Sequence, residues 1–183
     1  MMIEPVSMMT NTKKPAPVLR VCLREPTLAD EQEFLASARL SRAFHKPWTH
    51  TPRFPSEYHV WLSRMQQASN QAFLVCRCDT NAIVGVISIT GIVHGLLRSA
   101  WLGYYVFAGH ERQGLMREGL QLVIRHAFKA LKLHRLEANI QPDNAASLAL
   151  VRSCGFSKEG FSPRYLKIGG RWKDHERWAI VAG

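Results

Sequence analysis

The sequence predicts a mixed α/β fold, an antiparallel run of strands followed by a strand–helix–strand–helix–strand tail. Two observations carry this expectation. Residues 72 to 108 hold three apolar, β-branched runs, AFLVCRC, AIVGVISITGIV and SAWLGYYVFA, separated only by DTN and HGLLR. Runs of that kind with short turns between them make hairpin-linked strands. Beyond them, FAGHERQGLMREGLQLVI passes through a glycine turn into a helical stripe. In that stripe Met116, Leu120, Val123, Ile124, Ala127, Phe128 and Leu131 recur at the helical period.

The elements follow in order. VLRVCLREPT (18 to 27) alternates apolar and polar residues, with Val18, Val21 and Leu23 near one face, and predicts a first strand. Thr27 then caps a helix through TLADEQEFLASARL, with an acidic first turn and an apolar face of Leu28, Phe34, Leu35 and Ala38. The next segment is aromatic and proline-punctuated until Pro55-Ser56, where a second helix places Tyr58, Trp61, Leu62 and Met65 at i, i+3, i+4 and i+7. The turn at Thr80-Asn81 joins two of the three strands as an antiparallel hairpin. HRLEANI (134 to 140) is a fifth strand, and DNAASLALVRSCG a short helix with Asp143 or Asn144 as its cap and Gly155 ending it. FSKEGFSPRYLKI and RWKDHERWAIV close as a hairpin around Gly169-Gly170.

Bulk composition bounds the function. At 183 residues, 46% hydrophobic and 21% charged, the chain reads as one globular domain over 18–183. Residues 1–17, with three prolines and a Lys pair, predict a disordered tail rather than a signal peptide. No apolar stretch approaches the roughly 20 residues of a membrane helix, so a cytoplasmic protein without a membrane partner is expected. Cys76 and Cys78 share a strand face and read as small core hydrophobes; with Cys22 and Cys154 they complete no zinc set, and no metal is expected. The net charge of +10 admits nucleic-acid binding, attraction to an acidic partner or cofactor, or solvation. The charge is spread along the chain and accompanies no nucleic-acid-binding motif, which argues against direct nucleic-acid binding.

The informative feature is Gly114, flanked by Arg112 and Arg117 at the start of the long helix. A helix start presents unpaired N–H groups and the positive end of its dipole, a ready anion site. Neither G-x-x-x-x-G-K-[ST] nor G-x-G-x-x-G is present, so the two common nucleotide loops are excluded. The order strand, glycine turn, long helix, strand, then N-x-x-S opening a helix that ends in Gly-Phe resembles the GNAT acetyltransferase superfamily. FHKPW (44 to 48), GLMREGL (114 to 120), HRLEANIQPDN (134 to 144) and YLKIGGRWKDH (165 to 175) are similar to its RimJ/RimL-type branch, which acetylates N-terminal alanines or serines of ribosomal proteins.

The resemblance implies a central, mostly antiparallel sheet of about seven strands flanked by helices, with a splayed strand pair forming an acetyl-CoA site. The pyrophosphate would rest on the amides of Arg112, Gln113, Gly114, Leu115, Met116 and Arg117. Tyr105, Val106 and Phe107 would meet the pantetheine arm, and an N–H among them would stabilise the oxyanion. Asn144 would bind the cofactor while capping its helix, or only cap it; Ser147 would protonate the leaving thiolate, or reads as a solvent-facing helical serine. Glu137 matches a strand glutamate that serves some members as base and reads equally as a surface residue; Glu159 is a second candidate. Phe44, Trp48 and Tyr165 would wall the acceptor groove, or simply pack. Three positions depart from the pattern: Glu111 replaces Gln or Arg, Met116 a small residue, and Val151 the tyrosine that related enzymes use as acid.

Direct attack needs a neutral amine. An α-amine titrates near ~7.7–8.0 and a lysine near ~10.4, so roughly a tenth of the former is neutral at pH 7 against far less of the latter. A site without a strong base therefore suits protein N-termini, here a ribosomal partner by resemblance. Acetylation of a small amine, and a non-catalytic CoA-binding or ribosome-associated protein, are the alternatives.

Overall fold

The computed structural model describes residues 18–46 and 48–183, so the expected tail lies outside the described residues. Among the described residues, seven strands form one sheet: β1 (Val21–Arg24), β2 (Gln71–Arg77), β3 (Ile83–Val93), β4 (Ser99–Val106), β5 (Arg135–Ile140), β6 (Ser157–Ile168) and β7 (Arg171–Val181). They lie in the order β1-β2-β3-β4-β5-β7-β6. Neighbours are antiparallel except β4 and β5, which run parallel. The helices are α1 (Glu31–Leu40), α2 (Arg42–His45), α3 (Pro55–Met65), α4 (Leu115–Lys129) and α5 (Ala145–Ser153), with a 3₁₀ turn at Leu28–Asp30.

Because the sheet is covered on both faces, its central strands are apolar nearly throughout: every residue from Ala72 to Cys76 is buried. One core lies under α1 and α3, where Phe34 packs against Tyr58 (ring centroids 4.9 Å) and edge-on against Phe107 (5.4 Å). The other lies under α4 and α5, where Leu120, Val123 and Ala127 meet Val75, Leu136 and Ala138. The helix α4 sits so close to β2 that a Cβ on Gly119 would lie 2.8 Å from both methyls of Val75. That face of α4 therefore needs glycine to dock.

The feature that makes the site is where β4 and β5 part. They pair over three positions, Ser99↔Arg135 to Trp101↔Glu137. Past Trp101, β4 stays with β3 as far as Gly85↔Val106, while β5 stays with β7 as far as Ile140↔Glu176. A cleft opens between them.

Three expectations are corrected. The first strand is confined to Val21–Arg24, and Val18 is 92% exposed. Leu28 opens the 3₁₀ turn and faces solvent, because α1 begins only at Glu31. Cys76 is buried as expected, but Cys78 lies past the end of β2 and is exposed. The short helix α2 has no sequence periodicity to announce it.

Candidate functional site

The turn before α4 is held in an unusual conformation by its own side chains. Gly114 has φ +77° and Arg112 φ +58°, both left-handed. The Glu111 carboxylate accepts from the Gly109 N–H at 2.8 Å, and Gln113 donates its side-chain amide to the Gly109 carbonyl at 2.7 Å. Glu111 is thereby tied into its own loop. Glu118 makes the first intrahelical bond, from its N–H to the Gly114 carbonyl at 3.2 Å, so the amides of Leu115, Met116 and Arg117 precede the helix ladder. The side chain of Leu115 is core; its contribution is its backbone. Burial disfavours charge on Glu118, but Arg20 donates to it from its backbone N–H (3.1 Å) and Nε (2.6 Å) and holds its pKa below the usual carboxylate value. That pairing also brings Arg20 over the turn: a Cβ on Gly114 would lie 3.2 Å from its guanidinium.

At the cleft, the strand β4 alternates its backbone groups between β3 and the open side. The Phe107 N–H donates to the Val84 carbonyl at 2.8 Å and its ring is core, so Phe107 is neither an oxyanion donor nor a wall of the cleft, contrary to expectation. By the same alternation the Tyr105 N–H also faces β3, whereas the backbone of Val106 faces the cleft side. Its carbonyl there accepts from His45 Nε2 at 2.6 Å. Val106 is thus the residue of the three whose N–H does not pair with β3.

Asn144 caps α5 by accepting from the Ser147 N–H at 3.1 Å. Ser147 does not face solvent. Its Oγ lies 2.6 Å from the phenol of Tyr104, which comes from β4 across the cleft. Burial pushes the Tyr104 phenol far above its ordinary pKa, so it stays protonated and can donate. Tyr104 escaped the sequence reading because nothing in YYVF says which tyrosine turns toward α5. Val151, by contrast, is core, which explains its lack of a hydroxyl. Burial also raises the Cys154 thiol, leaving it protonated rather than nucleophilic.

These elements enclose a cavity of about 1440 Å³. Single-ligand pockets run to roughly 300–1,000 Å³, so this one has room for two substrates. Arg112, Gly114, Met116 and Arg117, Asn144 and Ser147 of α5, and Phe44, Trp48, Tyr105 and Tyr165 all line the same space. Asn139 of β5 and His175 of β7 line it as well. Glu137 is not brought there. Its carboxylate accepts from Arg135 Nε at 2.7 Å, and Arg135 in turn binds Glu159 at 3.0 Å, so both candidate bases are spent on one arginine. Among the described residues, the lining contains a single carboxylate, Glu111. No group of His, Cys, Asp or Glu among them could hold a metal ion, and no helix is long and apolar enough to cross a membrane.

The chain as a whole is similar to known proteins. Residues 20–157 match the family model of the acetyltransferase (GNAT) domain. A [ribosomal protein uS5]-alanine N-acetyltransferase of Escherichia coli is 32% identical over 149 residues, 77% of each chain. The structure of Mycobacterium smegmatis RimJ in complex with CoA-disulfide superposes with a TM-score of 0.83 at 28% identity, covering 88% of this chain and 82% of that one. A spermidine N(1)-acetyltransferase of Vibrio cholerae is 22% identical over 150 residues, 81% of this chain and 86% of that protein.

Proposed function

The chain belongs to the GNAT acetyltransferase family and is an acyltransferase, and from that premise we propose that it acetylates the N-terminal α-amine of a protein, a ribosomal one, from acetyl-CoA. One observation carries the choice of acceptor. The half of the cavity assigned to the acceptor is walled by Phe44, Trp48, Tyr165, Asn139 and His175, and the one carboxylate that lines the cavity among the described residues, Glu111, is already engaged by the Gly109 N–H. A polyamine brings several ammonium groups, and burying unpaired charge is costly. A protein N-terminus brings one amine, already partly neutral near pH 7. The similarity to the uS5-alanine enzyme supports the same reading.

The fit of acetyl-CoA rests on the turn. The left-handed Gly114, the amides from Leu115 to Arg117 and the guanidinium groups of Arg112 and Arg117 form a cradle that a diphosphate fills. Asn144 and the cleft edge of β4 would hold the arm, and Val106 N–H would stabilise charge on the carbonyl oxygen. Acetyl-CoA supplies an activated acetyl group on sulfur. Ser147 is placed to return a proton to that sulfur, and Tyr104 to replenish Ser147. No acyl-enzyme is required.

Thiol release tests the proposal with two peptides, one with a free N-terminal alanine and no lysine, the other N-blocked with an internal lysine. Turnover on the first alone is expected. Turnover on spermidine and on neither peptide would overturn the choice of acceptor, while acetyl-CoA binding without any thiol release would favour a binding protein.

A further inference from the structure

We propose that His175 is the catalytic base of this site, taking the proton of the attacking amine on Nε2, and that Asn139 Oδ1 aligns that amine. The inference rests on the acetyltransfer reading above. Both residues lie on the same face of the sheet. Asn139 of β5 stands opposite Arg177 of β7, and His175 is the next residue along β7 on that face. Such diagonal neighbours lie about 7–8 Å apart at the backbone, with their side chains closer. Both line the acceptor half of the cavity.

The tautomer of His175 follows from its partner. Nδ1 lies 3.0 Å from the Lys173 carbonyl, which can only accept, so Nδ1 carries the hydrogen. In the neutral ring Nε2 then holds a lone pair. Burial favours that neutral form, opposed more weakly by the Lys173 carbonyl and by Asp174. Of the other groups around the ring, Tyr165 of β6 packs at a centroid distance of 6.0 Å, and Ser162 stands opposite across the β6–β7 ladder. Asp174 is itself engaged by the Arg164 N–H at 2.7 Å. Asn139 Oδ1 is buried and accepts from none of the described residues. A buried acceptor left open beside a cavity is a cost unless a substrate donor satisfies it.

The rivals are occupied. Glu137 and Glu159 are held by Arg135, and Glu111 by the Gly109 N–H. His45 donates Nε2–H to Val106, and its ring is packed against Phe44, Tyr105 and Phe107. His110, on the turn before α4, lines the cavity too; His175 is the histidine that stands beside Asn139, and its Nε2 has no partner among the described residues. The amine nitrogen forms the new C–N bond with its lone pair, and one N–H proton passes to His175 Nε2. The C–S bond breaks with its electron pair leaving on sulfur, which takes a proton from Ser147. Ser147 regains one from Tyr104 and solvent, and His175 returns its own to solvent, so one proton is moved from amine to thiol.

His175→Gln tests the step, because glutamine can accept a hydrogen bond but cannot be protonated. We expect kcat to fall roughly 10²–10⁴-fold at pH 7, with the KM for acetyl-CoA and the melting temperature nearly unchanged. The deficit should shrink as pH rises and the amine is deprotonated by solvent. A kcat within threefold of the parent, or an equal loss at every pH, would overturn the role. If the N-terminal peptide fails and another amine is acetylated, the acceptor assignment has failed, and the same comparison on that amine still decides His175. Nitrogen-15 NMR of the histidine-labelled parent protein needs no variant and no turnover. It should find Nδ1 protonated and Nε2 pyridine-like at pH 7, and the reverse tautomer would sink the proposal.

Discussion

The two halves of the cavity are built from different material. The half proposed for the nucleotide is mostly main chain: amides between Arg112 and Arg117, the Val106 N–H and the start of α5, drawn from a few short contiguous stretches. The acceptor half is side chains gathered from far apart: Phe44 of α2, Trp48 beyond it, Asn139 of β5, Tyr165 of β6 and His175 of β7. A site made of amides depends on backbone conformation, so it tolerates Glu111 and Met116 in place of other residues. A site made of side chains depends on identity, and each substitution there changes the chemistry.

The comparison is broken most sharply at Gly114. An alanine must hold φ near +77° and meet Arg20 at 3.2 Å. A left-handed L-residue costs roughly 1–2 kcal/mol, and a turn that relaxes to avoid it misdirects the amides. Acetyl-CoA binding by calorimetry should weaken by about tenfold or more, tenfold being about 1.4 kcal/mol, while the tautomer of His175 by NMR stays unchanged.

A smaller effect is expected where the halves meet. Tyr104→Phe removes the partner of Ser147 Oγ, and a hydrogen bond of this kind is worth about 1 kcal/mol. Stability should drop by about that amount, and kcat by up to roughly tenfold if one proton-transfer partner is weakened. Acetyl-CoA affinity should hold; a loss confined to affinity would make Tyr104 a binding residue only.

The smallest separates the halves by acid. Burial lowers the pKa of His45 and His175 below 6.5, and both stand on the acceptor side. The folded protein binds their protons less well than the unfolded chain. Their stability is therefore fully present above pH 6.5 and is lost as pH falls through their folded pKa values, at no more than about 1.4 kcal/mol per pH unit for each proton. Glu118, beside the nucleotide turn, has a folded pKa below 4.5, so its contribution is lost only below that. Melting temperature should begin to fall below pH 6.5, and His175→Gln should flatten that slope without moving the limb below 4.5.

Much of this was legible in local pattern. The Gly114 turn, the α4 stripe, the Asn144 cap and the β6–β7 hairpin each depend on residues within one or two turns of each other, and the structure has them where the pattern put them. Val21–Arg24 came out shorter than its alternation because pairing with β2 ends it. In the site, Phe44, Trp48, Tyr165, Asn144 and Ser147 do share one cavity, whereas Glu137 points into an ion pair whose partner is two residues away. The sequence could place Arg135 and Glu137 on one strand face; it could not say that Arg135 would claim the carboxylate.

What the sequence determined by itself is the turn before α4, because a helix start is local: a glycine, its flanking arginines and the first turn suffice. What only the tertiary structure decided is which distant side chains share the cavity. Tyr104 meets Ser147 across 43 residues, and Asn139 and His175 share a sheet face only through the register of β5 on β7. Strand alternation fixes which residues share a face, but it is the pairing of distant strands that decides which of those faces look into one cavity.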